Sequence, residues 1–160
     1  MKTPTLETDR LILREIYPND TQAIFNGWMN DENVSRYMWW NASNDINDAK
    51  EFVEFELGNL ENGKWNRWII VLKSIPVIIG TCLIFFNEDE GHWDISYNLG
   101  KKFWGNGYAT EAMRTAMKYA VEEMNITEIS TAYAAENRAS GRVLQKLGFQ
   151  FIREVSYECN

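Results

Sequence analysis

Leu99-Gly100-Lys101-Lys102-Phe103-Trp104-Gly105-Asn106-Gly107-Tyr108 decides the fold, because it joins a strand pattern to the most regular helical pattern in the chain. Downstream, Ala109, Ala112, Met113, Ala116, Met117, Ala120, Val121 and Met124 recur at helical spacing and make one continuous apolar face. Residues this small or flexible let a helix lie close against a sheet, so the methionines read as core filler rather than cofactor ligands. Upstream, residues 93–99 read as a strand. Trp93, Ile95, Tyr97 and Leu99 alternate onto one face, and Asp94, Ser96 and Asn98 onto the other.

Working outward, residues 68–72 and 77–86 are rich in β-branched and aromatic side chains. Lys73-Ser74-Ile75-Pro76 between them predicts an antiparallel hairpin, and residues 87–91 predict a second turn leading into the 93–99 strand. Residues 6–16 read as a first strand, and Pro18-Asn19-Asp20 supplies a turn and cap for a helix over 21–30. Ala49, Phe52, Val53, Phe55 and Leu57 give a helical stripe over 48–60. Beyond the long helix, 128–134 reads as a strand, 137–147 as a helix closed by Gly148, and 149–157 as a last strand. Antiparallel hairpins combined with a strand–helix–strand unit predict an α/β, or α+β, sandwich: a mixed, mostly antiparallel sheet with helices covering it. No repeat or linker interrupts residues 1–160, and Pro4, Pro18 and Pro76 all fall at element edges, so one domain is expected.

Composition narrows the function. Against 16 basic residues stand 23 acidic ones, a formal charge of −7, with no cluster of lysine and arginine. That balance argues against phosphate backbones and anionic lipid surfaces as general partners. The apolar runs are strand-sized, far short of the roughly 20 residues of a membrane helix. Residues 1–14 are charged and alternating without a signal-peptide core, so a soluble cytoplasmic protein is expected. Cys82 lies in an apolar run and Cys159 near the end, which makes neither a disulfide framework nor a metal quartet. His92, the only histidine, follows a turn and reads as a surface residue. No metal is expected.

The glycine-rich stretch itself suggests an anion. Glycine lets backbone approach a ligand, and the amides and dipole of a helix start favour a pyrophosphate. Lys101 and Lys102 add charge at the rim. A dinucleotide fingerprint would want a glycine or similar where Thr110 stands, and the strand order also disfavours a Rossmann nucleotide-binding module. The Lys-Ser/Thr pair of a P-loop is absent as well. Taken alone, the glycines fit a ligand cradle or a tight strand-to-helix turn equally.

The run from Leu99 to Ala112 resembles the acetyl-CoA loop of GNAT N-acetyltransferases. Leu6-Glu7-Thr8-Asp9-Arg10-Leu11-Ile12-Leu13-Arg14 resembles that family's first strand. Asn137-Arg138-Ala139-Ser140 with Lys146-Leu147-Gly148-Phe149 resembles its late strand-to-helix segment. Together they resemble the RimJ/RimL-like branch, which acetylates ribosomal-protein N-termini and other amines. The resemblance implies the GNAT acyl-CoA N-acyltransferase fold with helices on both faces of the sheet, and acetyl-CoA as co-substrate. In the pattern Arg/Gln-x-x-Gly-x-Gly/Ala, Lys102 takes the first place, followed by Gly105, Asn106 and Gly107. It implies that amides from Lys102 through Tyr108 to Ala109 hold the pyrophosphate, while the strand edge from Tyr97 to Leu99 pairs with the pantetheine arm. Asn137 would bind that arm and Ser140 would lie near the thioester sulfur, although both residue types also suit a helix cap.

Acetyl transfer needs a neutral amine, a polarised carbonyl and a proton for the thiolate. α-Amino groups and alkylamines have pKa values of about 8 and about 10, so a base must act, through water if necessary. Asp94 stands where many relatives carry a glutamate, although a polar strand face can also be simply solvated. Glu158 is a second carboxylate. Many relatives place a tyrosine seven residues after the asparagine; here it is Leu144, which leaves Ser140 or water as acid. A strand amide between Tyr97 and Leu99 would hold the oxyanion.

The acceptor, a small-molecule or peptide amine, would be chosen by the variable helical region. Trp28, Tyr37, Trp39, Trp40, Trp65 and Trp68, with Met38 among them, supply rings and a thioether there for a cleft or for the core, and Trp39 and Trp40 cannot both face one core. Relatives usually continue into a further strand, so the last strand's edge calls for cover, from a second copy in a homodimer or from chain beyond Asn160. Direct transfer in a ternary complex is the expected activity. A non-catalytic acyl-CoA-binding or regulatory module is the alternative that Leu144 favours.

Overall fold

The alternating segments of the sequence pair into one antiparallel sheet, strands β1 (Leu6–Glu7), β2 (Leu11–Arg14), β3 (Trp65–Leu72), β4 (Val77–Asn87) and β5 (His92–Leu99), in the order β1-β2-β3-β4-β5. The structure is a computed structural model that describes residues 3–156. Helices α1 (Thr21–Ile24), α2 (Glu32–Ser35) and α3 (Ile46–Gly58) lie between β2 and β3, and α4 (Tyr108–Glu122) and α5 (Arg138–Lys146) follow β5.

Both expected turns form. Leu72 pairs with Val77 across the first, and Asn87 with His92 across the second. The expected strand over 6–16 is broken in two, because the Thr8 amide donates to Leu11 O and the Leu11 amide to Thr8 Oγ1, folding β1 back on β2. The helix expected over 21–30 begins as α1 and widens into a π-turn at Phe25–Met29. Helix α3 starts at Asp45, whose carboxylate accepts from the Asn47 amide as an N-cap.

Two expected strands form no ladder. Residues 128–134 reach β5 through Ser130 N donating to Trp93 O at 2.9 Å, Thr131 Oγ1 to Ile95 O at 3.4 Å and the Thr131 hydroxyl's contact with Asp94, and they form no strand ladder. The ladder is therefore antiparallel throughout the described residues, without the parallel member that makes a sheet mixed. Residues 149–156 are likewise unpaired, with Phe151 75% and Ile152 82% exposed. Alternation marks a segment that can be a strand, but only a neighbour makes it one.

Strand alternation sends the sheet's side chains into two cores. Leu11, Leu13, Trp68, Ile70, Cys82, Ile84, Ile95 and Leu99 pack with Ala112, Met113, Ala116 and Ala120 of α4 and Leu144 of α5. On the other face Ile69 packs with Ile24, Trp28, Val34 and Val53. The α4 stripe therefore does what its small residues allow, and Cys82, wholly buried, has its thiol pushed up to about 12 by desolvation. Trp28 and Trp68 are core residues, while Trp40 packs on the second core and Trp39 is 76% exposed. No helix among the described residues is long and apolar enough to cross a membrane.

The second face also holds a buried polar chain. Glu56 of α3 accepts from Arg67 Nε at 2.6 Å and from Trp65 Nε1 at 2.9 Å. Arg67 then donates to Thr81 Oγ1, which donates to Asn98 Oδ1 on β5. Because the Glu56 side chain is only 2% exposed, removing its cation leaves a charge in low dielectric. Arg67→Met is predicted to cost about 3 kcal/mol, read as a shifted midpoint in urea unfolding.

Candidate active site

β5 hydrogen-bonds to β4 along one side, and the Gly100 amide donates to Ile79 O at its end. Antiparallel alternation then turns the amides and carbonyls of Asp94, Ser96 and Asn98 toward β4, and those of Trp93, Ile95, Tyr97 and Leu99 toward the outer edge. The first two outer residues are occupied. Trp93 O accepts from Ser130, Ile95 O from Thr131, and the Ile95 amide donates to Asp94 Oδ1 at 2.6 Å. Farther along, the Trp104 indole donates to Leu99 O at 2.8 Å. The Tyr97 amide and carbonyl and the Leu99 amide thus line the part of the edge that the 128–134 segment has left.

Immediately after that edge, a 3₁₀ turn at Lys101–Phe103 leads into the glycine loop. Gly105 and Gly107 have φ of 75° and 79°, a left-handed conformation that any side chain would strain. Asn106 Nδ2 donates to the carbonyls of Phe103 and Trp104 and fixes the loop from inside. Gly107 is also the N-cap of α4 and brings no capping side chain. The amides of Tyr108 and Ala109 therefore start a helix without a side-chain acceptor.

A clamp that the sequence did not announce braces this helix start. Glu111, in the first turn of α4, accepts from Thr8 Oγ1 at 2.6 Å, from the Arg10 amide at 3.1 Å and from Arg10 Nε at 2.7 Å. Burial alone would raise the Glu111 pKa, but the Thr8 hydroxyl and Arg10 outweigh it and hold the carboxyl below its ordinary value. The Arg10 guanidinium stacks 4.4 Å from the Tyr108 ring centroid.

Helix α5 closes the far side. Asn137 is its N-cap, with Oδ1 accepting from the Ser140 amide at 3.2 Å, so the capping alternative is realised. The Tyr97 hydroxyl lies 2.7 Å from Ser140 Oγ and 3.3 Å from Ser140 O, bridging β5 to α5. Tyr133 packs against Gly141, where an added Cβ would stand 2.9 Å from its ring. Leu144 is buried in the core and offers no donor.

Asp94 stands apart from this group. It lies on the opposite face of β5 and three residues nearer the strand's start, about 10 Å along. Burial raises its pKa, although the Thr131 hydroxyl, the Ile95 amide and His92 all favour the charged form. His92 is not a bare surface histidine, for it contacts Glu90 at 2.7 Å and Trp93 O at 3.1 Å. Burial would lower the His92 pKa, but those bonds and the charges of Glu90 and Asp94 raise it. Glu158 lies outside the described residues, and no cluster among them could hold a metal ion.

Tyr97 and Leu99 thus lie on the β5 edge, Lys102, Gly105, Asn106, Gly107, Tyr108 and Ala109 on the turn and helix start that follow it, and Asn137 and Ser140 at the start of α5, which Ser140 joins to Tyr97. The Tyr97 phenol had no sequence signal, since alternation put it on the core face. The Trp104 indole and the Thr8 hydroxyl were equally silent.

An acetyltransferase (GNAT) domain model matches residues 10–150. Among curated proteins, the uncharacterized N-acetyltransferase p20 of Bacillus licheniformis is 31% identical, covering 91% of this chain and 82% of its own. The uncharacterized N-acetyltransferase YoaA of Bacillus subtilis is 32% identical over 97% of this chain and 89% of its own. Among solved structures, the ribosomal alpha-N-protein acetyltransferase RimL, in complex with coenzyme A, superposes with a TM-score of 0.80 at 14% identity, covering 91% of this chain and 84% of its own. The chain belongs to the GNAT family of acetyltransferases, and its sheet and helices form that family's fold.

One consequence follows from Asp94 alone. A folded pKa above the ordinary 3.8 means that folding favours the protonated form, a stabilisation present below 3.8 and lost as pH rises through the folded value. Asp94→Asn should therefore raise the melting temperature at pH 7, and thermal melts at pH 3 should show that gain shrunken.

Proposed function

We propose that the protein is an acetyl-CoA-dependent N-acetyltransferase that carries an acetyl group to a primary amine, of a protein N-terminus or a small molecule, by direct attack in a ternary complex. The observation that carries the reading is the open stretch of β5 at Tyr97 and Leu99 running straight into the uncapped start of α4 across Gly105 and Gly107. An extended amide arm ending in a pyrophosphate matches both halves of that arrangement, because its amides can pair as a strand does and its phosphates suit helix-start amides. Acetyl-CoA supplies an activated acyl group on such an arm.

On this reading the amides of Lys102, Gly105, Asn106, Gly107, Tyr108 and Ala109 hold the pyrophosphate, and Tyr97 and Leu99 pair with the arm. Asn137 spends Oδ1 on its helix and keeps Nδ2 to donate to the ligand. Ser140, at the edge of the same opening, hydrogen-bonds the departing sulfur, and the Tyr97 or Leu99 amide polarises the carbonyl oxygen. Asp94 takes the amine's proton through water, since it sits on the other face of β5. Its raised pKa brings it nearer to neutrality, as suits a base. A negative protein draws cationic amines toward it.

The second reading, a module that binds acyl-CoA without transferring, rests on Leu144, which is buried in the core and has no proton to give at the place where the resemblance implies a tyrosine. The two separate in one assay. Purified protein with acetyl-CoA should release free thiol faster when pooled N-terminal peptides, polyamines, amino acids or aminoglycosides are added. Asp94→Asn should slow that release about 100-fold. Coenzyme A binding without acceleration by any pool would favour the binding module.

A further inference from the structure

Tyr97 carries a half-buried hydroxyl that no part of the proposed transfer yet uses, and Ser140 carries a hydroxyl with only one hydrogen to give. The Tyr97 ring packs on the core shared by the sheet, α4 and α5, and its Oη stands 2.7 Å from Ser140 Oγ. Ser140 lies in the first turn of α5, its amide held by Asn137 Oδ1 and the Asn137 carbonyl taken by the Gly141 amide. Two arrangements of hydrogens fit these distances. In one, Ser140 donates to Tyr97 and the phenol donates to Ser140 O, at the longer 3.3 Å, which spends the serine hydrogen inside the protein. In the other, the phenol donates to Oγ along the shorter contact and the serine hydrogen is released. A phenol is a stronger acid than an alcohol, so the second polarity is favoured, and the 2.7 Å separation is that of a good O–H···O bond.

We propose that Tyr97 is a positioning residue of the transfer reaction: by donating to Ser140 Oγ it frees the Ser140 hydroxyl hydrogen to point into the opening and bond the sulfur as negative charge builds there. This rests on the reading of Ser140 as the residue beside the thioester. Leu144 offers no proton from its place on α5, and Tyr97 supplies a phenol from the sheet that acts through serine rather than directly. Tyr133, packed on Gly141 one residue farther along, is the neighbouring phenol and the natural control.

The test uses coenzyme A itself, so it needs no acceptor and no turnover. Thiolate absorbance of coenzyme A bound to the full chain is titrated for the native protein, Tyr97→Phe, Ser140→Ala and the double variant. A sulfur that receives the serine hydrogen titrates below the ordinary thiol value of about 8.5. Both single variants should raise the bound thiol's pKa by about one unit, with affinity for the protonated coenzyme, measured at about pH 6, within about twofold of native. The double variant should go no higher than Ser140→Ala, because the phenol acts only through that oxygen. Tyr133→Phe should leave the thiol unmoved.

Additive shifts, or a Tyr97→Phe variant that titrates as native does, would overturn the proposal while leaving the transferase reading intact. A native protein that does not bind coenzyme A would overturn both. In the acceptor assay the same cycle should repeat as a fall of about tenfold in kcat, at unchanged KM for acetyl-CoA, for either single variant.

Discussion

The structure depends on β5 being paired along its whole length on one side and only over its first half on the other. Ser130 and Thr131 hydrogen-bond Trp93 and Ile95, and Tyr97 and Leu99 lie beyond those bonds. Tyr97 and Leu99 are left with edge groups that a folded protein normally covers. Everything proposed for function follows from that opening: a ligand that can complete a ladder, a glycine loop beginning where the strand ends, and α5 bonded to the strand through Tyr97 and Ser140. The Trp104 indole on Leu99 O marks the end of the free edge.

Division of labour between the two sheet faces keeps the opening in shape. One face is an apolar seal, with α4 pressed down through Ala112, Ala116 and Ala120, all wholly buried. The other carries the buried chain from Glu56 through Arg67 and Thr81 to Asn98, which fixes the β3–β5 portion of the sheet by directional bonds rather than by fit alone. The Glu111 clamp ties the N-terminal hairpin to the first turn of α4. Loop, edge and helix start are therefore held from three directions, while the charge at the helix start stays balanced by Arg10.

Much of this was legible in the residues. The turns at 73–76 and 87–91, the α4 stripe and the glycine loop all rest on local chemistry and appear where the pattern puts them, except that α4 ends at Glu122, short of Met124, and leaves Val121 56% exposed. The burial of Cys82 and the split between Trp39 and Trp40 follow from the same kind of reasoning. What sequence could not supply was partnership. Residues 128–134 and 149–156 alternate as strands do, yet ladder formation depends on a neighbour, and the hairpin within 6–16 depends on one threonine hydroxyl. The Tyr97–Ser140 contact joins residues 43 apart through side chains whose alternation and capping preferences concealed it. The matching domain and relatives establish the family, and the proposed roles of Asp94 as base and Ser140 as acid rest on the resemblance together with the Tyr97–Ser140 contact.

Backbone amide resonances followed during titration with coenzyme A read the β5 edge and the α4 start together. The amides of Tyr97 and Leu99, together with those from Lys102 to Ala109, should shift together along one saturating curve and gain protection from hydrogen exchange. Shifts confined to α3, the 36–45 segment or the outer surface of α4, with the β5 edge unmoved, would contradict a ligand site there.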